Sequence, residues 1–348
     1  MRPSRVLALL EREFLAADSG AHTPVMLWGA PGVGKSQLVQ QAAARHGAPV
    51  IDIRLAQMEP TDLRGIPFRE GRSVEWSVPA LLPDVERHGR RGILFLDEIT
   101  SAPPTVTAAA YQLILDRRLG EYRVPKGWTL VAAGNRQGDR SLVYQMPAPL
   151  ANRFTHFDVE PDIDDWIAWA HDRGIDSRLI AFLRFRPELL FDADAARASH
   201  AFPSPRSWEF AHRALEKFGS DPDLLAEALK GCVGPAAALA CRAFVDHLGK
   251  IPDVGAIAAG RETVVPGPID LQYAVATALV QHVVRLPQAQ RFDAAGNVLR
   301  YARGFPQREL GVMLVADLQR VIGEPLYKHP EFAHWANEVG GMLSYERE

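Results

Sequence analysis

The stretch Gly29-Ala30-Pro31-Gly32-Val33-Gly34-Lys35-Ser36 constrains this chain more than any other. It fits G-x-x-x-x-G-K-[ST], follows the apolar run Val25 to Trp28 and opens a helical pattern from Lys35 to His46. A strand that turns through glycines straight into a helix commits the chain locally to α/β packing. The glycines let the backbone curl so that successive N–H groups point inward at phosphate oxygens. The following helix presents its positive end to the same anion. Lys35 reaches the β- and γ-phosphates of a nucleotide, and the Ser36 hydroxyl is a ligand for Mg2+. Residues 29–36, with Gln37 next in the helix, are the candidate nucleotide-binding residues.

Further apolar runs follow at Val50 to Ile53, Gly92 to Asp97, Thr129 to Gly134 and Thr155 to Val159, with a helical stretch at Thr105 to Arg118. Strands this apolar are covered on both faces, as in a parallel sheet between helices. Residues 1–160 therefore read as one three-layer α/β domain. Residues 57–83 interrupt it with proline and glycine. They hold a hairpin whose turn is Arg69-Glu70-Gly71-Arg72, followed by alternating Ser73-Val74-Glu75-Trp76. From Asp162 the pattern becomes helical. Asp162, Asp176, Ser204 or Ser207, Asp221 and Gly234-Pro235 are the expected helix starts. Residues 161–250 are expected to form a helical domain. Residues 251–268 read as a linker, and 269–348 as further helices, within a C-terminal extension over 251–348.

Two more pieces of chemistry lie in the first domain. Ile93-Leu94-Phe95-Leu96-Asp97-Glu98 delivers adjacent carboxylates at a strand's C-terminal end, where open α/β sheets bind ligands. Downstream of a phosphate loop, Asp97 suits holding Mg2+ through water, and Glu98 suits polarising the attacking water. Asn135 ends the run Leu130 to Gly134. Its amide suits orienting that water, or else it is a plain turn residue. Arg153, in Pro149-Leu150-Ala151-Asn152-Arg153-Phe154, and Arg206, in Pro203-Ser204-Pro205-Arg206-Ser207-Trp208, are the candidate arginines, with Arg136 and Arg140 as rivals of Arg153. An arginine brought to the γ-phosphate raises turnover by about 10³–10⁵.

Composition narrows the partners. With 39 basic and 42 acidic residues, a net charge of −3 argues against a uniformly basic nucleic-acid binder. No apolar run approaches the ~18 residues of a membrane span. The first residues, MRPSRVLALLEREF, read as an amphipathic helix and not a signal peptide. Cys232 and Cys241 match no zinc or redox spacing and read as buried thiols of a cytoplasmic protein.

GAPGVGKS, ILFLDE, VAAGN, LANRF and PSPRSW, in this order, resemble the motifs of an AAA+ ATPase, and the hairpin-bearing segment after MEPTDLRG is similar to the helix-2 insertion of the MoxR-type branch. The resemblance spans about residues 20–215. It implies a sheet of order 5-1-4-3-2, a helical lid over 161–250 and a ring, commonly a hexamer, with ATP and Mg2+ between subunits. It implies catalytic roles for Lys35, Glu98 and Asn135, a trans-acting finger at Arg153 and a lid sensor at Arg206. MoxR proteins often carry Thr-x-Asn-Pro where this chain has Ala133-Gly134-Asn135-Arg136, and Asp where it has Asn152. The family's work is chaperone-like remodelling of a protein client, often with a partner bearing a von Willebrand factor A domain. The alternatives are a nucleic-acid-dependent motor, with Arg64, Arg69 and Arg72 facing phosphates, and a nucleotide-gated scaffold, which the intact Glu98 disfavours. Phe68 and Arg69 are the candidate client contacts.

Overall fold

The computed structural model describes residues 1–136, 144–247 and 251–343. The chain divides into two compact units, Met1–Asp165 and Trp166–Glu348.

The described residues of the first unit form strands β1 (Val25–Trp28), β2 (Val50–Arg54), β3 (Pro67–Glu70), β4 (Ser73–Trp76), β5 (Arg91–Asp97), β6 (Arg118–Leu119), β7 (Tyr122–Arg123), β8 (Gly127–Gly134) and β9 (Thr155–Asp158). Five of them make one sheet in the order β2-β5-β8-β1-β9, parallel throughout. Counting these five alone, this is the expected 5-1-4-3-2 order. β8, in the centre, is buried at every position. Successive strand residues face opposite ways. On one face Met26, Leu94, Leu96, Leu130 and Ala132 join a core with Val106, Ala109, Ala110, Leu113 and Ile114 of helix Pro104–Asp116. Leu27, Ile93, Phe95, Val131 and Ala133 are buried on the other. That burial on both sides is why the strands read as continuous apolar runs. The first residues form helix Pro3–Ala16, with Val6, Leu7, Leu10 and Phe14 inward, the amphipathic helix expected there.

The interruption at 57–83 holds helix Pro60–Arg64 and the antiparallel pair β3–β4, with Phe68 opposite Glu75 and Arg69 opposite Val74. Gly71 at its turn has φ +58°. The hairpin packs into no core, and Ile66, Phe68, Val74 and Trp76 are all exposed. The two-residue pair β6–β7 has no counterpart in the sequence reading. Helix Pro104–Asp116 stops before it, at Arg117, whose φ of +53° turns the chain back.

The second unit is helical. Asp176, Asp192, Ser204 and Asp221 accept hydrogen bonds from the first-turn N–H groups of helices Ser177–Phe185, Ala193–Ala198, Pro205–Phe218 and Pro222–Val233. Such a cap contributes about 1 kcal/mol. The expected linker contains a short helix, Val254–Ala258, because the Asp253 carboxylate accepts from the N–H groups of Gly255 and Ala256. Helix Ile269–Arg285 runs through the middle of this unit and packs on Ser177–Phe185 and on Arg308–Ile322. Helices of 161–250 and of 251–348 thus belong to one compact unit. Cys241 is buried, its thiol pushed up to about 12 chiefly by burial, whereas Cys232 is only half-buried. Among the described residues no helix is long and apolar enough to cross a membrane.

Candidate nucleotide-binding site

The C-terminal ends of β1, β5 and β8 bring the separated motifs together. After β1 the chain curls through Gly32 and Gly34, at φ +84° and +98°. Side chains other than glycine are strained in that region. Gly34 directly precedes helix Lys35–Arg45, whose first N–H groups have no partner within the helix. Loop and helix end together form a cradle of donors for an anion.

Lys35 is 9% exposed, and its Nζ donates to the carbonyl oxygens of Gly29 (2.6 Å) and Ala30 (3.2 Å) and to Oδ1 of Asn135 (3.1 Å). These three acceptors are neutral, so they hold the ammonium without cancelling its charge. The Ser36 hydroxyl donates to Oδ2 of Asp97 at 2.9 Å, and Oδ1 of Asp97 accepts the Glu98 N–H at 2.8 Å. The hydroxyl and the carboxylate are hard oxygen donors, the type that binds Mg2+. Gln37 is exposed, one residue beyond.

Glu98 has φ +56° and ψ +31°. A non-glycine residue held there costs about 1–3 kcal/mol, and such residues cluster at functional sites. The left-handed turn ends β5 abruptly and starts the single 3-10 turn Ile99–Ser101. Asp52, on β2, lies close by. Desolvation pushes its carboxyl up, Asp97 and then Glu98 add to the effect, and Arg54 opposes it. Asp52 thus feels the charge of both Asp97 and Glu98. Asp52 escaped the sequence reading, although an Asp within Val50-Ile51-Asp52-Ile53 was the available signal.

Asn135 follows β8 directly, and its N–H donates to the Thr100 hydroxyl at 3.1 Å. The rival arginines separate. Arg136 forms an ion pair with Asp158 at 2.7 Å. Arg140 lies outside the described residues. Arg153 is exposed, and while its backbone N–H donates to the Leu150 carbonyl oxygen, its side chain has no hydrogen bond or ion pair among the described residues. Arg206 is exposed in the first turn of helix Pro205–Phe218, where Ser204 and Ser207 form a capping box. It belongs to the second unit.

Residues 24–154 match the AAA domain of the dynein-related subfamily. Protein NorQ of Paracoccus denitrificans (strain Pd 1222) is 29% identical over 163 residues, 44% of this chain and 59% of NorQ. Denitrification regulatory protein NirQ of Stutzerimonas stutzeri is 29% identical over 168 residues, 45% of this chain and 60% of NirQ. The chain thus spans about three-fifths of the length of these relatives. NtrX from Brucella abortus, crystallised with ADP, is 16% identical at a TM-score of 0.39, over 90% of this chain and 68% of that one. The matched segment opens just before β1 and closes just before β9, so it encloses the phosphate loop, Asp97, Glu98 and Asn135. Residues 24–154 of this chain are an AAA domain of the dynein-related subfamily.

Proposed function

We propose that this chain is a MoxR-type AAA+ ATPase that hydrolyses ATP between the subunits of a hexameric ring and uses the cycle to remodel or activate a protein partner. The observation that carries the proposal is the convergence of Lys35, Ser36, Asp97, Glu98 and Asn135 at one edge of the sheet. The loop N–H groups and Lys35 hold the triphosphate. Ser36 and Asp97 hold Mg2+, which when bound draws charge from the phosphate oxygens. Glu98 accepts a proton from the attacking water, and Asn135 orients that water. Arg153, exposed and with no side-chain partner among the described residues, is the finger offered to the neighbouring subunit, whereas Arg136 pairs with Asp158. Residues 161–250 act as the lid, with Arg206 reading the nucleotide.

The exposed apolar hairpin supports a protein client, with Phe68 and Arg69 as contact residues. The net charge of −3 and the name of NirQ as a regulatory protein fit the same reading. A protein with a von Willebrand factor A domain is the proposed partner, and the cytoplasm the proposed location. The test is phosphate release by purified protein with ATP and Mg2+, with and without that partner. Release that requires Mg2+ supports the reading. Release that appears only with DNA and vanishes as salt is raised would replace it with a nucleic-acid motor.

A further inference from the structure

Thr100 is 3% exposed in the turn after Glu98, yet its hydroxyl does not cap its own turn. It reaches a residue 35 positions away, accepting the Asn135 N–H at 3.1 Å and facing the Asn135 carbonyl oxygen at 3.4 Å. Its own carbonyl oxygen accepts the Tyr144 N–H at 2.7 Å. One residue thus holds positions 135 and 144, which flank segment 136–143.

The fit leaves no slack. A Cβ on Gly134 would lie 2.6 Å from Thr100 Cγ2 and 2.8 Å from its Oγ1. Glycine at 134 is therefore what lets Thr100 approach the main chain of Asn135. The same asparagine places Oδ1 3.1 Å from Lys35 Nζ. The contacts form one chain: the left-handed turn at Glu98 sets Thr100, Thr100 sets the backbone of Asn135, and Asn135 meets Lys35.

We infer that Thr100 is a positioning residue for hydrolysis, fixing Asn135 relative to both Glu98 and Lys35. The inference rests on the ATPase reading above. Deleting the hydroxyl would leave the part-buried Asn135 N–H without its partner, and Asn135 would shift to find another. A shift of about 1 Å in a positioned group lowers turnover by about a hundredfold.

The experiment compares Thr100→Val, which keeps the shape and deletes the hydroxyl, with Thr100→Ser and the unaltered protein. Affinity for a nonhydrolysable ATP analogue and kcat are both measured. Thr100→Val is expected to bind the analogue within about threefold of the original, with kcat lowered at least about tenfold. Thr100→Ser is expected to recover kcat to within about threefold. In an Asn135→Ala background, Thr100→Val should add no further loss, because both act through one amide. Should Thr100→Val fail to fold, Thr100→Ala deletes the same hydroxyl and serves the same comparison. Unchanged kcat in the hydroxyl-deleted variant, or losses that multiply in the double variant, overturns the inference alone. Absence of turnover in the unaltered protein overturns the ATPase reading, and the inference with it.

Discussion

Nζ of Lys35 lies 3.1 Å from Oδ1 of Asn135, a residue 100 positions further along the chain. The phosphate loop and the end of β8 are thereby joined through the charge that would hold a triphosphate. Lys35→Ala removes that charge and leaves the loop's N–H groups in place. Its affinity for an ATP analogue should fall by about a hundredfold or more, on the order of 3 kcal/mol. Isothermal titration measures this directly, and unchanged affinity would remove Lys35 from the site.

Arg153 is exposed, whereas Arg136 is paired with Asp158. A finger that acts across a subunit interface gives a complementation pattern. Arg153→Ala and Glu98→Gln should each be nearly inactive alone. Mixed in equal amounts, they should recover about a quarter of the intact interfaces if subunits assort at random. Phosphate release from the mixture tests this. A mixture no more active than its components would count against Arg153 acting in trans.

His22 faces Arg117, whose Nη1 lies 2.7 Å from the ring Nε2, while Arg117 Nη2 donates to the carbonyl oxygens of Pro125 and Trp128. Burial, and then the Arg117 charge, push His22 down to about 4. The imidazole therefore stays neutral in the fold but protonates near 6.5 when unfolded. Its contribution is fully present above about 6.5 and is lost as pH falls from there toward 4. The melting-temperature advantage of the original protein over His22→Gln should shrink between pH 7 and pH 5. An advantage that is flat with pH would contradict this account of His22.

In the second unit Asp317 is 3% exposed and pairs with Arg184, itself 5% exposed, and with Arg320 at 2.9 Å. Burial raises the Asp317 carboxyl, but His171 and Arg184 outweigh it and the net direction is down. Asp317→Asn leaves the Arg184 guanidinium buried without its counter-ion, at a cost of about 3–5 kcal/mol. A denaturant titration near neutral pH should show that loss, and Arg184→Met in the same chain should return part of it. Because the folded carboxyl titrates below its ordinary value, the stabilisation is present above about 4 and fades as pH falls through the folded value. A loss below about 1 kcal/mol would mean the cluster is already hydrated.

The five sheet strands and the phosphate loop are legible in the sequence because their signals are local. β8 is apolar throughout because both of its faces are covered, and Gly32 and Gly34 stand where the backbone must turn left-handed. Capping aspartates announced the helices of the second unit for the same reason. What escaped was set by distant partners. Thr100 and Gly134 have meaning only as a pair brought together across two strands. Asp52 looks like a lone polar residue until β2 pairs with β5 and sets it near Asp97. The pair β6–β7 is too short for its alternation to be read, and Val254–Ala258 hid in a segment whose prolines and glycines suggested a linker.

The most direct test of the central claim is single-turnover hydrolysis by Glu98→Gln beside the unaltered protein, with ATP and Mg2+ saturating both. Glu98 sits in a left-handed turn directly after Asp97, and in the proposed function its carboxylate takes the proton of the attacking water. The account predicts nucleotide affinity within about threefold and a hydrolysis rate lower by at least about a hundredfold. Equal rates in the two proteins, at equal occupancy, would contradict it.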